Sequence, residues 1–356
     1  IQNTIGNAKL QPVFTKEAEA GVEIRFFHDI LGIDATVYEK RTDGQIFNVP
    51  IAPSTGYTSL VQNLGLVSNK GVEISFNAKP VESTNFHWDL NFNFSKNWNK
   101  VINLTGGPKK VILNTAYDAE LDAIPGQSVT AMYAPVPQYT ADGKLIVSAS
   151  TGVPIQDTAK GYYGNAENDY LMGLSSTFSY KKWSLGFTLD YRKGGVMYSG
   201  TADLLNFVGN AIATTYNDRR PFIIPNSVVQ TGVNGQGKPV YQENATPILE
   251  SNFDSYWYPT SNIALTYQHR IIDRSFLKLR EISLSYKLPE DWASKIHSNN
   301  LSLTVYARNL LLWLHAGNPY IDPEASNLGI DLTSQLGEFT TAPTDDQFGV
   351  DLKASL

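Results

Sequence analysis

The sequence predicts an all-β protein, a transmembrane antiparallel β-barrel. Three observations lead there: long stretches of strict two-residue alternation, many aromatic residues with few charges, and connections that are short and long by turns. Aromatic residues make up 12% of the chain and charged residues only 17%, below the usual ~25%. A soluble core does not need so many rings with an apolar body and a polar edge, whereas a membrane–water interface does. The longest dense apolar run is Leu310–Leu314, far short of the ~20 residues of a membrane helix. Such a chain crosses a membrane only as strands, because lipid offers no partner to an unpaired backbone group.

The strands read off in order. Ala18–Phe26 and Leu31–Val37 alternate weakly. Val72, Ile74, Phe76 and Ala78 then alternate with Glu73, Ser75, Asn77 and Lys79. Phe86, Trp88, Leu90, Phe92 and Phe94 alternate with His87, Asp89, Asn91, Asn93 and Ser95. Met172–Tyr180 is weaker, and Trp183, Leu185, Phe187, Leu189 and Tyr191 follow with polar residues or Gly186 between them. Ile282–Leu288 alternates weakly, and its phase breaks upstream at Lys278–Glu281, which a bulge or an exit from the membrane explains. Leu301, Leu303, Val305 and Ala307 form the next strand, and Phe348, Val350, Leu352, Ala354 and Leu356 the last. Alternation of this kind gives each strand one apolar and one polar face. Several runs reach the ~9–11 residues that a tilted membrane strand needs.

The connections His28–Leu31, Pro80–Asn85 and Tyr180–Trp183 are short, and Pro289–Asn300 is of medium length with a helical turn at Trp292–Ile296. Arg41–Asn63, Val101–Asp169, Ser199–Arg274 and His315–Asp345 are long, and the two classes alternate without exception. Bacterial outer-membrane barrels pair short periplasmic turns with long extracellular loops. A soluble β-sandwich also has alternating strands, but it has no reason to lengthen every second loop. The count is about nine strands, an odd number, whereas single-chain bacterial barrels are even. The chain is therefore expected to be part of a longer one.

Other classes of function find little support. With 28 basic and 34 acidic residues and no basic cluster, nucleic acid is not an expected partner. There is no cysteine for a disulfide or a thiolate metal site, and the five histidines lack metal-ligand spacing. No nucleophile elbow or phosphate loop occurs, so no catalytic residue, metal or cofactor is assigned. The glycine pairs Gly106-Gly107 and Gly194-Gly195 read as turn or strand-end glycines. Asp322 and Glu324, flanking Pro323, could suggest calcium or acid–base work. The simpler reading is a rigid loop base with hydrogen-bonded carboxylates.

Charged strand residues carry a facing argument. Glu73, Lys79, Asp89, Asp190, Arg192, Arg308, Asp351 and Lys353 all fall opposite apolar faces. A lipid-facing Arg or Lys near the midplane costs ~2–4 kcal/mol, so these side chains are expected to face the lumen. The plainer possibility is that they are only solvated there. In the loops, Tyr133, Tyr139, Tyr162, Tyr163, Tyr256, Trp257 and Tyr258 are candidate substrate contacts. Rings stack on sugars and on peptide side chains while their polar edges stay wet, although loop tyrosines also simply pack compact loops.

Five segments resemble, in order, the C-terminal half of SusC-like TonB-dependent transporters of Bacteroidota. They are Asn69–Pro80 with its Asn-x-Gly-x-Glu opening, Phe86–Val101, Asp218–Val228 (DRRPFIIPNSV), Phe276–Pro289, and Leu301–Glu324 with NLLLW and Tyr320-Ile321-Asp322-Pro323-Glu324. The resemblance implies the C-terminal portion of a larger plugged barrel of about 22 strands. On that reading residues 1–356 form strands and extracellular loops of one transporter domain, and the signal peptide, TonB-engaging segment, plug and first strands would precede Ile1. The resemblance further implies import of oligosaccharides or oligopeptides across the outer membrane, energised through TonB, with a SusD-like surface lipoprotein as lid. The chain departs from the family pattern in ending on Leu356 rather than an aromatic residue. A passive porin and a soluble glycan-binding or glycan-cleaving β-protein remain the alternatives; upstream sequence separates the first, detergent-free solubility the second.

Overall fold

The computed structural model describes residues 3–106, 108–257, 270–328 and 331–355. Within them, nine strands form one antiparallel sheet in chain order. They are β1 (Phe14–Phe26), β2 (Leu31–Asp43), β3 (Gly65–Glu82), β4 (Phe86–Leu104), β5 (Tyr170–Tyr180), β6 (Trp183–Lys193), β7 (Phe276–Lys287), β8 (Asn300–Leu314) and β9 (Gln347–Ser355). Each pairs with its neighbours in sequence, and β1 and β9 are edges among the described residues. The strands run from 9 residues in β9 to 19 in β4, against ~5–6 in ordinary globular sheets.

The expected rhythm of connections is present. Residues 27–30, 83–85, 181–182 and 288–299 close the short side, the last with the helix Glu290–Lys295. Left-handed backbone at Phe27, His28 and Asp29, and at Lys181, turns the first and third tightly. Residues 44–64, 105–169, 194–275 and 315–346 make the long side. Gly106, Gly194 and Gly195 have positive φ, as turn glycines do; Gly107 lies outside the described residues.

Register places the faces. Leu90 opposes Ser176, and Phe92 opposes Leu174, which opposes Leu189. On the other face Asp89 opposes Thr177, and Asn93 opposes Gly173, which opposes Asp190. Near the short turns the apolar face carries Trp88, Tyr180, Trp183 and Tyr286, with Trp183 and Tyr286 rings 4.5 Å apart. Near the loops it carries Trp98, Tyr170, Tyr191 and Trp313, with Tyr170 and Tyr191 rings 6.1 Å apart. Trp88 and Trp98 are ten residues apart on β4. At ~3.3 Å per residue and a tilt of ~40°, that is ~25 Å of height, the thickness of the apolar band on an outer-membrane barrel. Between the belts Leu185, Leu284, Val305 and Val350 form one row, exposed on the apolar face.

The phase break in β7 is a bulge: Leu279 opposes Leu189 and Glu281 opposes Thr188, leaving Arg280 as the extra residue. It sends Arg280 to the polar face, where its guanidinium reaches Asp190 and Glu324.

The main buried core lies in the loops rather than in the wall. Val67 on β3 and Val101 and Leu104 on β4 extend into a cluster with Leu113, Leu121, Met132, Tyr198, Ile271 and Leu336. Three of the long loops are knitted together. The strands Val111–Ala116, Ala119–Ala123, Ala131–Pro137 and Gln156–Asn165 form a four-stranded sheet. Leu145–Val147 pairs with Ser227–Val233 of the next long loop, and Val196–Ser199 pairs with both Ile271–Asp273 and Gly337–Glu338.

Candidate ligand-binding face

The polar face of the sheet, roofed at one end by these loops, is the candidate site. Its middle is lined by short hydroxyl and amide side chains that bond across strands: Ser175 with Thr188 at 3.1 Å, Ser285 with Thr304 at 2.7 Å, and Asn97 donating to Asn69 at 3.0 Å. The Asn-x-Gly-x-Glu opening of β3 has a physical reading here. Asn69, Gly71 and Glu73 alternate onto the polar face. Asn69 accepts from Asn97 and Asn99, and a side chain at Gly71 would run into the Tyr38 ring lying against it. The Tyr38 hydroxyl donates to Asn97 at 3.3 Å.

Register puts the six lumen candidates on this polar face. Glu73 opposes Ser95, which opposes Leu171, which opposes Arg192. Asp190 opposes Gly173 and Lys278, Arg308 opposes Glu281, and Asp351 opposes Thr304. Asp89, opposite Thr177, and Asp351 lie toward the short-turn end, away from the other four.

Asp190 and Arg192 join an ionic cluster that ties the last long loop to the wall. Lys278 Nζ lies 3.1 Å from Asp322, 3.0 Å from Glu324 and 3.0 Å from the Thr344 hydroxyl. Arg280 grips Glu324 with both terminal nitrogens and also bonds Asp190, and Arg192 lies 2.9 Å from Glu324. Burial by itself would raise the carboxyl pKa values of Asp322 and Glu324. Thr344, the Glu324 backbone N–H and Lys278 outweigh it for Asp322, and Arg280 and Lys278 for Glu324, so both sit below the usual range. The rigid loop base expected for Asp322 and Glu324 is what the geometry holds. Sequence reasoning did not find Lys278 and Arg280 as their partners; the phase break around them was the available signal.

Two cavities open on the polar face at the loop end. One, of about 330 Å³, has Glu73, Arg192, Glu167, Arg274 and Gln335 in its lining. The other, of about 440 Å³, has Glu17, Glu19, Lys40 and Glu73 in its lining. Tyr38, Glu73 and Asn97 border both. Arg274 donates to the backbone carbonyls of Ala166 at 2.9 Å and Pro323 at 3.4 Å. Burial, with the nearby Arg192 charge, pushes it down to about 10. Burial pushes the Glu167 carboxyl up.

The loop aromatics do not converge on one point. Tyr133 and Tyr162 are cross-strand partners with rings 5.6 Å apart; the first bonds Gln127 and the second donates to Asn165. Tyr163 turns its hydroxyl to the Pro135 carbonyl at 2.8 Å, and burial raises its pKa. Tyr139 is exposed at the edge of a separate bridge with Leu145. Tyr256 packs edge-on against Phe222 at 5.3 Å and Trp257 at 4.7 Å. Tyr258 lies outside the described residues.

A wall with one apolar belted face and one polar face under folded loops defines an outer-membrane β-barrel. The model of the TonB dependent receptor-like β-barrel family matches residues 1–310, and the chain belongs to that family. It is similar to TonB-dependent receptor P3 of Formosa agariphila, 22% identical over 376 residues, covering 94% of this chain and 34% of that protein. It is similar also to TonB-dependent receptor SusC of Bacteroides thetaiotaomicron, 26% identical over 348 residues, covering 91% of this chain and 31% of that protein. The chain thus spans about a third of the length of the curated relatives it matches. The solved structure of the RagAB peptide transporter shares its fold, with a TM-score of 0.64 at 18% identity over 94% of this chain and 34% of that one.

Proposed function

We propose that the protein containing this chain imports a nutrient across the outer membrane by a TonB-dependent route, taking oligosaccharides or oligopeptides, with a SusD-like surface lipoprotein as lid. The observation that carries the reading is the knitted cap of long loops over a polar wall. Loops of this length that fold together, with strands shared between 105–169, 194–275 and 315–346, are built for a task rather than left as tethers. A passive pore needs an open mouth; a roofed mouth suits a cargo that is captured and then moved. The six lumen candidates and the loop aromatics are proposed to meet water, plug or cargo on that path. The family membership and the relatives named for TonB support the energy source. The name of one structural neighbour, a peptide transporter, supports peptides among the cargo classes.

The test is growth of the native organism on the transported nutrient. Removing TonB should abolish it, and persistence of uptake would favour a passive porin. Deleting part of the loop around Tyr256–Tyr258 in the full-length protein should abolish uptake or co-purification of the lipoprotein while the barrel stays folded. Unchanged growth and co-purification would remove the functional role of that loop.

A further inference from the structure

We infer that the outer face of β2–β4, at the loop-side belt, holds a phosphorylated headgroup of the outer-leaflet glycolipid, gripped by Arg41, Lys70 and Lys100 around Ser68. The inference concerns the lipid-facing side of the wall and is independent of the cargo and its energy source.

Most charged strand residues face the lumen, but at the loop end the alternation carries some of them outward. Even-numbered residues of β1 and β4, and of β3 from Leu66 to Ala78, share the apolar face with odd-numbered residues of β2 and β6. Lys16, Arg41, Lys70, Lys96, Lys100 and Lys193 lie on that face, and the acids there are Glu39 and Asp43. All of them stand in the loop-side belt or beyond it. Among the described residues, β5, β7, β8 and β9 place no charged residue on the apolar face. The outward charge is therefore mostly positive and gathered at one end of β1–β4.

The cations converge about Ser68. Arg41 opposes Ser68 and Ser68 opposes Lys100, one row with ~4.8 Å between neighbours. Lys70 stands two residues along β3 from Ser68, opposite Trp98, at ~7 Å. Ser68 is 5% exposed, and its hydroxyl makes no hydrogen bond among the described residues. Glu39 lies 2.7 Å from Arg41 and 3.5 Å from Lys70, and so answers one of their two charges. Lys100 is exposed, with no carboxylate at ion-pair distance among the described residues. Three cations against one carboxylate leave a surplus of two positive charges. Asp43 stands one outward position beyond Arg41 and is offset by Lys16, which opposes Arg41. Lys96 flanks the group with its ammonium 4.9 Å from the centre of the Trp98 ring. Each of β2, β3 and β4 has both sheet neighbours in place, so no further strand adjoins the group.

Height selects the occupant. Along β4, Lys100 stands two residues beyond Trp98, which is ~5 Å higher at a tilt of ~40°. The headgroup layer on each side of a bilayer is ~5–8 Å thick. Lysines among the acyl chains would be costly, whereas long cationic side chains that reach the headgroups are favourable. A phosphate over Ser68 takes charge-assisted hydrogen bonds from the guanidinium and both ammonium groups. Basic clusters at a membrane surface select phosphorylated lipid heads in this way. The loop end is the extracellular end, so the leaflet is the outer one, whose glycolipid carries phosphate on its sugar head. A zwitterionic head would leave the surplus uncancelled.

The experiment uses the full-length protein in detergent, stripped of lipid, with binding read by competition against a fluorescent phosphorylated lipid A at constant ionic strength. The competitors are lipid A with its phosphates, the same lipid A dephosphorylated, phosphatidylglycerol and inorganic phosphate. Phosphorylated lipid A should bind, and removing its phosphates should weaken it at least about tenfold, the scale of a charge-assisted hydrogen bond. Phosphatidylglycerol should compete weakly and inorganic phosphate not at all. The triple variant Arg41→Gln, Lys70→Gln, Lys100→Gln should lose a similar factor for phosphorylated lipid A and nothing further for the dephosphorylated form. The charge-matched triple Lys181→Gln, Lys182→Gln, Lys287→Gln, at the short-turn end, should bind as the unaltered protein does. The lipid series on the unaltered protein keeps the test decisive if a variant misfolds. No binding of phosphorylated lipid A, equal binding of its dephosphorylated form or of phosphatidylglycerol, displacement by inorganic phosphate, or an unchanged first triple variant overturns the inference.

Discussion

The ammonium of Lys278, projecting from β7, lies 3.1 Å from the carboxylate of Asp322 in the last long loop, and both side chains are almost wholly buried. The pair closes the only described approach of that loop to the wall in which a lysine serves two carboxylates at once, since Glu324 lies 3.0 Å from the same nitrogen. It adds a buried ionic anchor on the barrel wall to the strand pairing and apolar packing that hold 315–346.

Replacing Lys278 by Met should therefore release the loop. Removing one partner of a buried pair leaves the other charged and unpaired, at a cost of about 3 kcal/mol. The nine-stranded wall does not depend on the contact. Limited proteolysis should cut within 315–346 many times faster in the variant, while the heat-resistant migration of the barrel in detergent gels is kept. Equal protease resistance would show that the cluster does not hold the loop.

The same contact has a pH signature. The carboxyl pKa values of Asp322 and Glu324 are depressed in the folded protein. A depressed acid contributes stability above its unfolded pKa and loses it as pH falls through the folded value. Loop protection measured by hydrogen exchange should stay level from about pH 7 to pH 5 and weaken below about pH 4. Weakening that begins above pH 6 would assign the transition to another group.

Gly71 should tolerate no side chain while Tyr38 is present. A Cβ there would overlap the Tyr38 ring, and overpacking of this kind costs about 1–3 kcal/mol. Gly71→Val should lower the unfolding temperature of the barrel. Adding Tyr38→Ala should restore most of the loss, because the clash is pairwise. A loss that Tyr38→Ala leaves untouched would point to backbone strain in β3 instead.

Facing can be read with spin labels. A label at Leu90 should be relaxed by oxygen and one at Asp89 by a polar reagent, since alternation sends one to lipid and the other to the lumen. Equal polar access at both would contradict the assignment of faces.

The alternation of Phe86–Phe94 and Trp183–Tyr191 by itself determined which side chains share a face, since that depends only on the two-residue period of a strand. The succession of short and long connections determined the antiparallel order and the end that carries the loops. Aromatic residues such as Trp88, Trp98, Trp183 and Tyr191 were legible as interface residues by type; that they fall into two belts ~25 Å apart needed the register between strands. The loop tyrosines were named by type too, yet Tyr133 and Tyr162 meet while Tyr139 and Tyr256 stand elsewhere, because a pairing of two distant segments decides it. Ser199 donates to the buried Glu338 across 139 residues of sequence, and Lys278 meets Asp322 across 44. Glu73 and Arg192 line one cavity only because three strand spacings of the folded wall bring them into one row. Period and residue type are local properties that a sequence carries at each position. Contact between distant loops exists only once the chain has paid its loop entropy and packed.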